Sequence, residues 1–175
     1  MMIDAYSGGP AKVRGPKEEP AMFRTTVLAI ALAFTAAAPA ASAEDYAINP
    51  AATVRVRYMV SDLPAAKDFY VSKLGFKVDF ASGTYFAALS RNGLQLLLSP
   101  VNGPGGASRA LPDGRRPEPG GWTRIVLNTS DLKGDMDRLK KEGVHFRSDI
   151  IVGVGGSEVL LDDPSGNPVE LFQPG

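Results

Sequence analysis

The chain has 175 residues, 44% hydrophobic and 22% charged, with 19 basic side chains against 19 acidic ones, one histidine and no cysteine. This length and balance fit one ordinary globular domain with its own core, and they exclude disulfide scaffolds and cysteine-ligated zinc. A formal charge of zero leaves no electrostatic footprint for nucleic-acid phosphates or anionic membranes.

Residues 1–21 are polar, rich in Gly and Pro and without periodicity, and they read as an extension that is either untranslated or disordered. From Met22 the character changes. Arg24 supplies a positive start, Val27 to Ala38 is apolar but for Thr35, and Ala41-Ser42-Ala43 has the small-x-small form of a cleavage site. Residues 22–43 are therefore expected to be a secretory signal peptide, and the apolar run is shorter than the roughly 20 residues a membrane-spanning helix needs. The mature protein should be periplasmic or secreted, with no membrane attachment, and 44–51 should be a short N-terminal extension.

Val54-Arg55-Val56-Arg57-Tyr58-Met59-Val60-Ser61-Asp62-Leu63 is echoed by Thr123-Arg124-Ile125-Val126-Leu127-Asn128-Thr129-Ser130-Asp131-Leu132. In each copy an alternating run predicts a half-buried strand, and Ser-Asp-Leu opens a helix with the aspartate as N-cap. Leu63, Ala66, Phe69, Tyr70 and Leu74 mark the buried stripe of the first helix, and Leu132, Met136 and Leu139 that of the second. Gly75 and Gly143 should end them. Further strands are expected at 76–81, 84–91 and 94–99, then at 144–149, 157–162 and 168–173, with Ser82-Gly83, Asn92-Gly93 and Asp163-Pro164-Ser165-Gly166-Asn167 as reversals. Gly153 to Glu158 opens like a dinucleotide fingerprint but lacks its third glycine and its helix, so a turn is expected.

Each module thus reads βαβββ, the first over 52–100 and the second over 122–175. The connector 101–121 is set by composition: from Pro100 to Gly121, six glycines and five prolines make up 11 of 22 residues. It is expected to be a solvated loop, with Arg109, Arg115 and Arg116 interspersed with Asp113 and Glu118.

The doubled module, the Ser-Asp-Leu helix starts, Phe69-Tyr70 before Leu74-Gly75-Phe76, and Asp163-Pro164-Ser165-Gly166-Asn167-Pro168-Val169-Glu170-Leu171 together resemble the vicinal oxygen chelate superfamily, which includes glyoxalase I, extradiol dioxygenases and bleomycin-resistance proteins. The resemblance covers nearly all of 52–173. It implies an α+β fold in which two paired βαβββ modules form a curled mixed sheet around a concave ligand cavity. It also implies one metal ligand from each of four equivalent strand positions, which fall here on Arg55, Gln95, Arg124 and Glu170. Two of those are guanidiniums, which stay protonated and have no lone pair to donate. The chain's one histidine, His145, cannot supply the pair that a dioxygenase-type iron site needs, and alternation from Val144 and Phe146 turns it towards solvent. No metal and no other cofactor is expected.

Period two places Arg55, Arg57 and Met59 on one strand face, opposite Val54, Val56, Tyr58 and Val60, which should pack on the helix. Gln95 joins Leu97, and Glu170 joins Phe172. The residues expected to bind a ligand are Arg55, Arg57, Gln95, Arg124, Glu170, Trp122 and Phe172, with core or rim packing the better-supported role for Trp122. For the charges two readings stand equal: Glu170 paired to one arginine as a structural network, or surplus guanidinium held for an anionic ligand. The leading expectation is a metal-independent binder of a small anionic or aromatic molecule. The first alternative is an enzyme with Glu170 as the catalytic candidate, either a glyoxalase-like lyase or isomerase using Gln95 and Glu170 with a divalent metal as its cofactor, or a metal-free catalyst with Glu170 as general base, although two guanidiniums beside Glu170 argue against a tuned base. A structural or interaction module is the second. The bleomycin-resistance branch commonly acts as dimers, so the resemblance carries the prospect of a homodimer.

Overall fold

The structure is a computed structural model that describes residues 54–175. The extension at 1–21, the signal segment 22–43 and residues 44–51 lie outside the described residues, as do residues 52 and 53 of the first module.

Strand β1 (Val54–Val60) leads into helix α1 (Leu63–Asp68), which loosens into a π-helical turn over Phe69–Lys73. Strands β2 (Lys77–Ser82), β3 (Phe86–Arg91) and β4 (Leu94–Pro100) complete the first module, and a short 3-10 turn, Gly106–Ser108, interrupts the connector. The second module repeats the plan with β5 (Ile125–Asn128), α2 (Leu132–Lys141), β6 (Ile151–Gly153), β7 (Gly156–Asp162) and β8 (Pro168–Pro174). The sheets are four-stranded and open, in the orders β1-β4-β3-β2 and β5-β8-β7-β6, with β1 parallel to β4 and β5 parallel to β8.

Both helices begin where the aspartates predict. Asp62 Oδ1 accepts from the Ala65 amide at 3.0 Å, and Asp131 Oδ1 accepts from that of Gly134 at 2.9 Å, each satisfying a first-turn N–H that no carbonyl can reach. A Cβ at Gly134 would lie 2.2 Å from Asp131 Oδ2, so a larger residue there would make the capping carboxylate shift. Gly75 and Gly143 end the helical stretches at φ +69° and +79°, a conformation that side chains disfavour.

The helix-facing sides of both sheets contribute to one core, with Val60, Tyr70, Leu89, Leu96 and Leu98 of the first module and Leu139, Val159, Leu161 and Val169 of the second. Polar bonds tie the modules together through this core. The Tyr58 hydroxyl donates to the Pro168 carbonyl at 2.9 Å and accepts from the Ile125 amide at 3.0 Å, while the Tyr70 hydroxyl donates to Asp163 Oδ2 at 3.1 Å. Burial disfavours a phenolate, so the Tyr58 hydroxyl is pushed up to about 12, only partly offset by the Ile125 amide. Burial, reinforced by the Asp163 charge, raises Tyr70 as well.

Three expectations are corrected. Residues 144–149 form no strand: they contribute the isolated bridge Phe146 to Leu161, and the edge strand comes later, at Ile151–Gly153. The physical reason is side-chain competition, since Ser148 Oγ takes the Leu160 amide at 3.1 Å where a ladder carbonyl would otherwise sit. Strand β3 starts at Phe86 rather than 84, because the Tyr85 amide turns back to the Ser82 carbonyl at 2.9 Å. Val54 does not pack on the helix but is 58% exposed, as it precedes the stretch that the short α1 covers.

Candidate functional site

In the first module, period two presents Arg55 and Arg57 from β1 beside Gln95, Leu97 and Ser99 of β4, with Arg55 directly opposite Gln95 in the parallel register. Strand β3 adds Phe86, Ala88 and Ser90 to this face. Strand β2 contributes more than alternation allows: Val78 pairs with Leu89 and Phe80 with Ala88, so Asp79 is the extra residue of a β-bulge. The bulge brings Asp79 onto the same side as Phe80. Asp79 Oδ1 accepts from Ser90 Oγ at 2.7 Å, and its Oδ2 accepts from Gln95 Nε2 at 2.8 Å. The buried Gln95 amide is thus fixed by a carboxylate that period two alone does not point to.

One strand step along, Arg57 Nη1 donates to Ser99 Oγ at 2.5 Å, and its guanidinium carbon lies 5.8 Å from the centre of the Phe86 ring. The Phe80 and Phe86 rings sit 6.2 Å apart, tilted by 42°. Together with Ser82, Tyr85 and Ser99, these residues line a cavity of about 400 Å³ whose remaining wall is connector residues 104–108. That wall is held in place by Ser108, which is buried and donates from Oγ to the Pro100 carbonyl at 2.6 Å. Further along the connector Arg109, Arg115 and Arg116 are exposed, and Arg115 pairs with Asp113 at 2.7 Å.

The second module treats the corresponding positions differently. Arg124 Nε donates to Glu170 Oε2 at 2.6 Å, with Glu170 almost wholly buried and Arg124 about one-third exposed, so here the charges adopt the network reading. The register also differs. Val126, two residues beyond Arg124, stands opposite Glu170, so Arg124 reaches back diagonally while keeping to the same face. Phe172 is half-buried opposite Asn128. Trp122 is rim rather than core, 74% exposed, and its ring covers the Arg147 guanidinium at 5.3 Å.

Arg147 is absent from the sequence-derived set. It binds Asp162 at 2.6 Å and the carbonyls of Gly121 and Gly166 at 2.8 Å each, fastening the end of the connector to the second sheet. His145 is exposed, and its Nδ1 lies 2.9 Å from Asp162 Oδ2. Among the described contacts none joins Arg55, Arg57 or Gln95 to Arg124, Glu170 or Phe172. The seven sequence-derived residues fall into two groups, one in each module, and of them Arg57 lines the aromatic cavity.

The model of the Glyoxalase/Bleomycin resistance protein/Dioxygenase superfamily matches residues 52–171, and the chain belongs to that family. A protein of Shewanella frigidimarina described as uncharacterized is 30% identical over 128 residues, covering 69% of this chain and 91% of its own length. Among solved structures, lactoylglutathione lyase from Agrobacterium tumefaciens is 22% identical with a TM-score of 0.54, covering 72% of this chain and 96% of its own. TnmS3, an antibiotic-binding protein from Streptomyces sp. CB03234, is 27% identical with a TM-score of 0.52, covering 69% of this chain and 93% of its own.

The metal that the family's four strand positions would hold does not fit the residues present. Arg55 and Arg124 offer no lone pair, and Glu170 Oε2 is engaged by Arg124, so of the four positions the Gln95 amide oxygen and the second Glu170 oxygen are the donors left. No group of three or more His, Asp or Glu side chains placed to share a metal ion occurs among the described residues.

Proposed function

We propose that this protein is an exported member of its family that binds a small aromatic anion on the concave face of its first module, without a metal and without turning the molecule over. The observation that carries this reading is the cavity of about 400 Å³ with Phe80, Tyr85 and Phe86 as its walls and the Arg57 guanidinium among them. Aromatic walls with one convergent charge suit a planar ligand bearing a carboxylate or similar group, because a guanidinium fork pairs with both oxygens while the rings stack on the body. Arg55, on the same face, forms no hydrogen bond or ion pair with a described residue, which leaves a second cation for an acidic substituent. The likeness to an antibiotic-binding protein favours sequestration over turnover, and the Arg124–Glu170 pair removes the one candidate general base from service.

Export rests on the 22–43 signal, and a homodimer belongs to the same proposal, on the resemblance to the bleomycin-resistance branch. Cell fractionation and light scattering check these two points. The binding itself is tested by calorimetric titration with naphthoate. Saturable one-to-one binding that weakens at least about tenfold in Arg57→Ala is expected. Release of a chemically altered product would replace binding with catalysis.

A further inference from the structure

On the opposite side of the first sheet from the aromatic cavity, a second cavity of about 330 Å³ lies where the two modules meet. Alternation along β3 separates the two sites: Ser90 turns to Asp79 on the concave face, so Arg91 turns the other way. Arg91 shares this cavity with Lys73 at the end of the π-helical turn, and with Thr129, Asp135 and Arg138 from the second module.

Three cations gather here, and the nearby carboxylates are already engaged. Asp135 Oδ2 accepts from Thr129 Oγ1 at 2.6 Å, and its Oδ1 accepts from Arg138 at 3.0 Å. Glu142 binds Lys73 at 2.9 Å and lies 3.6 Å from Arg138 Nη1. Burial works to raise the Asp135 carboxyl, but the Thr129 and Arg138 bonds, with the Arg138 and Arg91 charges, outweigh it and hold the group below its ordinary value. Lys73 and Arg138 are therefore compensated, whereas Arg91 is left over: it is half-buried and forms no hydrogen bond or ion pair with a described residue. A guanidinium that lines the cavity without a hydrogen-bond acceptor among the described residues has its donors available to a ligand.

We propose that this seam cavity is a binding site for a small oxyanion, a phosphate or the phosphate group of a small ester, with Arg91 as its principal partner and Lys73 and Arg138 flanking it. Three positive side chains against two negative ones leave one charge for the ligand to neutralise, and the volume exceeds what a bare phosphate needs. Because the walls come from both modules, occupancy ties the two halves together and stabilises the fold.

The test is the melting temperature of the full chain in about 20 mM inorganic phosphate or glycerol phosphate, against sodium chloride of equal ionic strength. A phosphate-specific rise of about 3 °C or more is expected. The rise should fall below about 1 °C in Arg91→Gln, a comparison that cancels the general stabilisation phosphate gives to any protein. Ser72→Glu, which places a fixed carboxylate at the cavity wall, should abolish the response independently. A larger rise with glycerol phosphate assigns the ester as ligand, and a larger rise with inorganic phosphate assigns the free ion. Equal melting temperatures in phosphate and chloride, or a rise that survives in both variants, would overturn the proposal. Naphthoate binding should be unchanged in Arg91→Gln, which keeps this result separate from that for the concave face.

Discussion

The two modules share strand order, aspartate-capped helices and glycine helix stops, yet their concave faces have opposite chemistry. In the first, the Gln95 amide donates to Asp79, Arg55 forms no hydrogen bond or ion pair with a described residue, and Arg57 stands among aromatic rings. In the second, Glu170 takes the position of the amide and Arg124 is consumed by it. The Glu170 carboxylate takes up its guanidinium, whereas the Gln95 amide, held by Asp79 from the β2 bulge, does not. On the proposed reading, the first copy serves recognition and the second stability, with no change of topology.

Exchanging that residue should produce the largest effect. Gln95→Glu sets a second carboxylate against Asp79, and urea unfolding at neutral pH should register a loss of about 2–3 kcal/mol. Two carboxylates in contact cannot both ionise cheaply, so one folded-state value is raised above its unfolded one. The lost stability is recovered as the pH falls and that group takes up its proton. The reciprocal Glu170→Gln leaves Arg124 with a neutral partner and should cost less, about 1–2 kcal/mol, because Arg124 is one-third exposed. Equal costs for the two exchanges would break the contrast between the modules.

Next in size is the seam between them. Tyr58→Phe leaves the Ile125 amide and the Pro168 carbonyl without their shared hydroxyl, for a loss of about 2 kcal/mol in denaturant titration. The pH dependence has a definite sign. A phenol raised from 10.0 to about 12 holds its proton longer in the folded state, so its contribution is fully present below pH 10 and is lost as pH rises towards 12. Wild-type stability should therefore fall across that window, and Tyr58→Phe should flatten the fall without removing the part due to Tyr70.

A binding assay sharpens the comparison more finely. Arg57→Ala should weaken naphthoate at least about tenfold, whereas Arg124→Ala should leave its affinity within about twofold. Smallest of all are the caps. Asp131→Ala should cost about 1 kcal/mol and Asp62→Ala somewhat less, since Pro64 already fixes the first turn of α1.

What could be read from the sequence was mostly local. The repeat, the Asp62 and Asp131 caps and the glycine stops depend on neighbours a few residues away, and each lies where its spacing placed it. The Arg124–Glu170 pair was legible as one of two readings of the same charges, because strand alternation already put both residues on one face. Asp79 was not legible, since a bulge breaks the period of two that sequence reading relies on. Nor was Arg147, whose partners Gly121, Asp162 and Gly166 come from the connector, the end of β7 and the β7–β8 turn, all distant in sequence. The cavity wall at 104–108 depends on the path of a glycine- and proline-rich connector, which composition identifies as a loop but does not aim.

The most direct measurement is a naphthoate titration of chelator-treated protein, repeated after incubation with manganese, iron, nickel and zinc, with bound metal quantified by plasma mass spectrometry. Binding by the Arg57 cavity predicts the same affinity in every sample and no stoichiometric metal. Affinity that appears only with a metal, or one metal ion bound per chain, would contradict it and return Gln95 and Glu170 to the role of ligands.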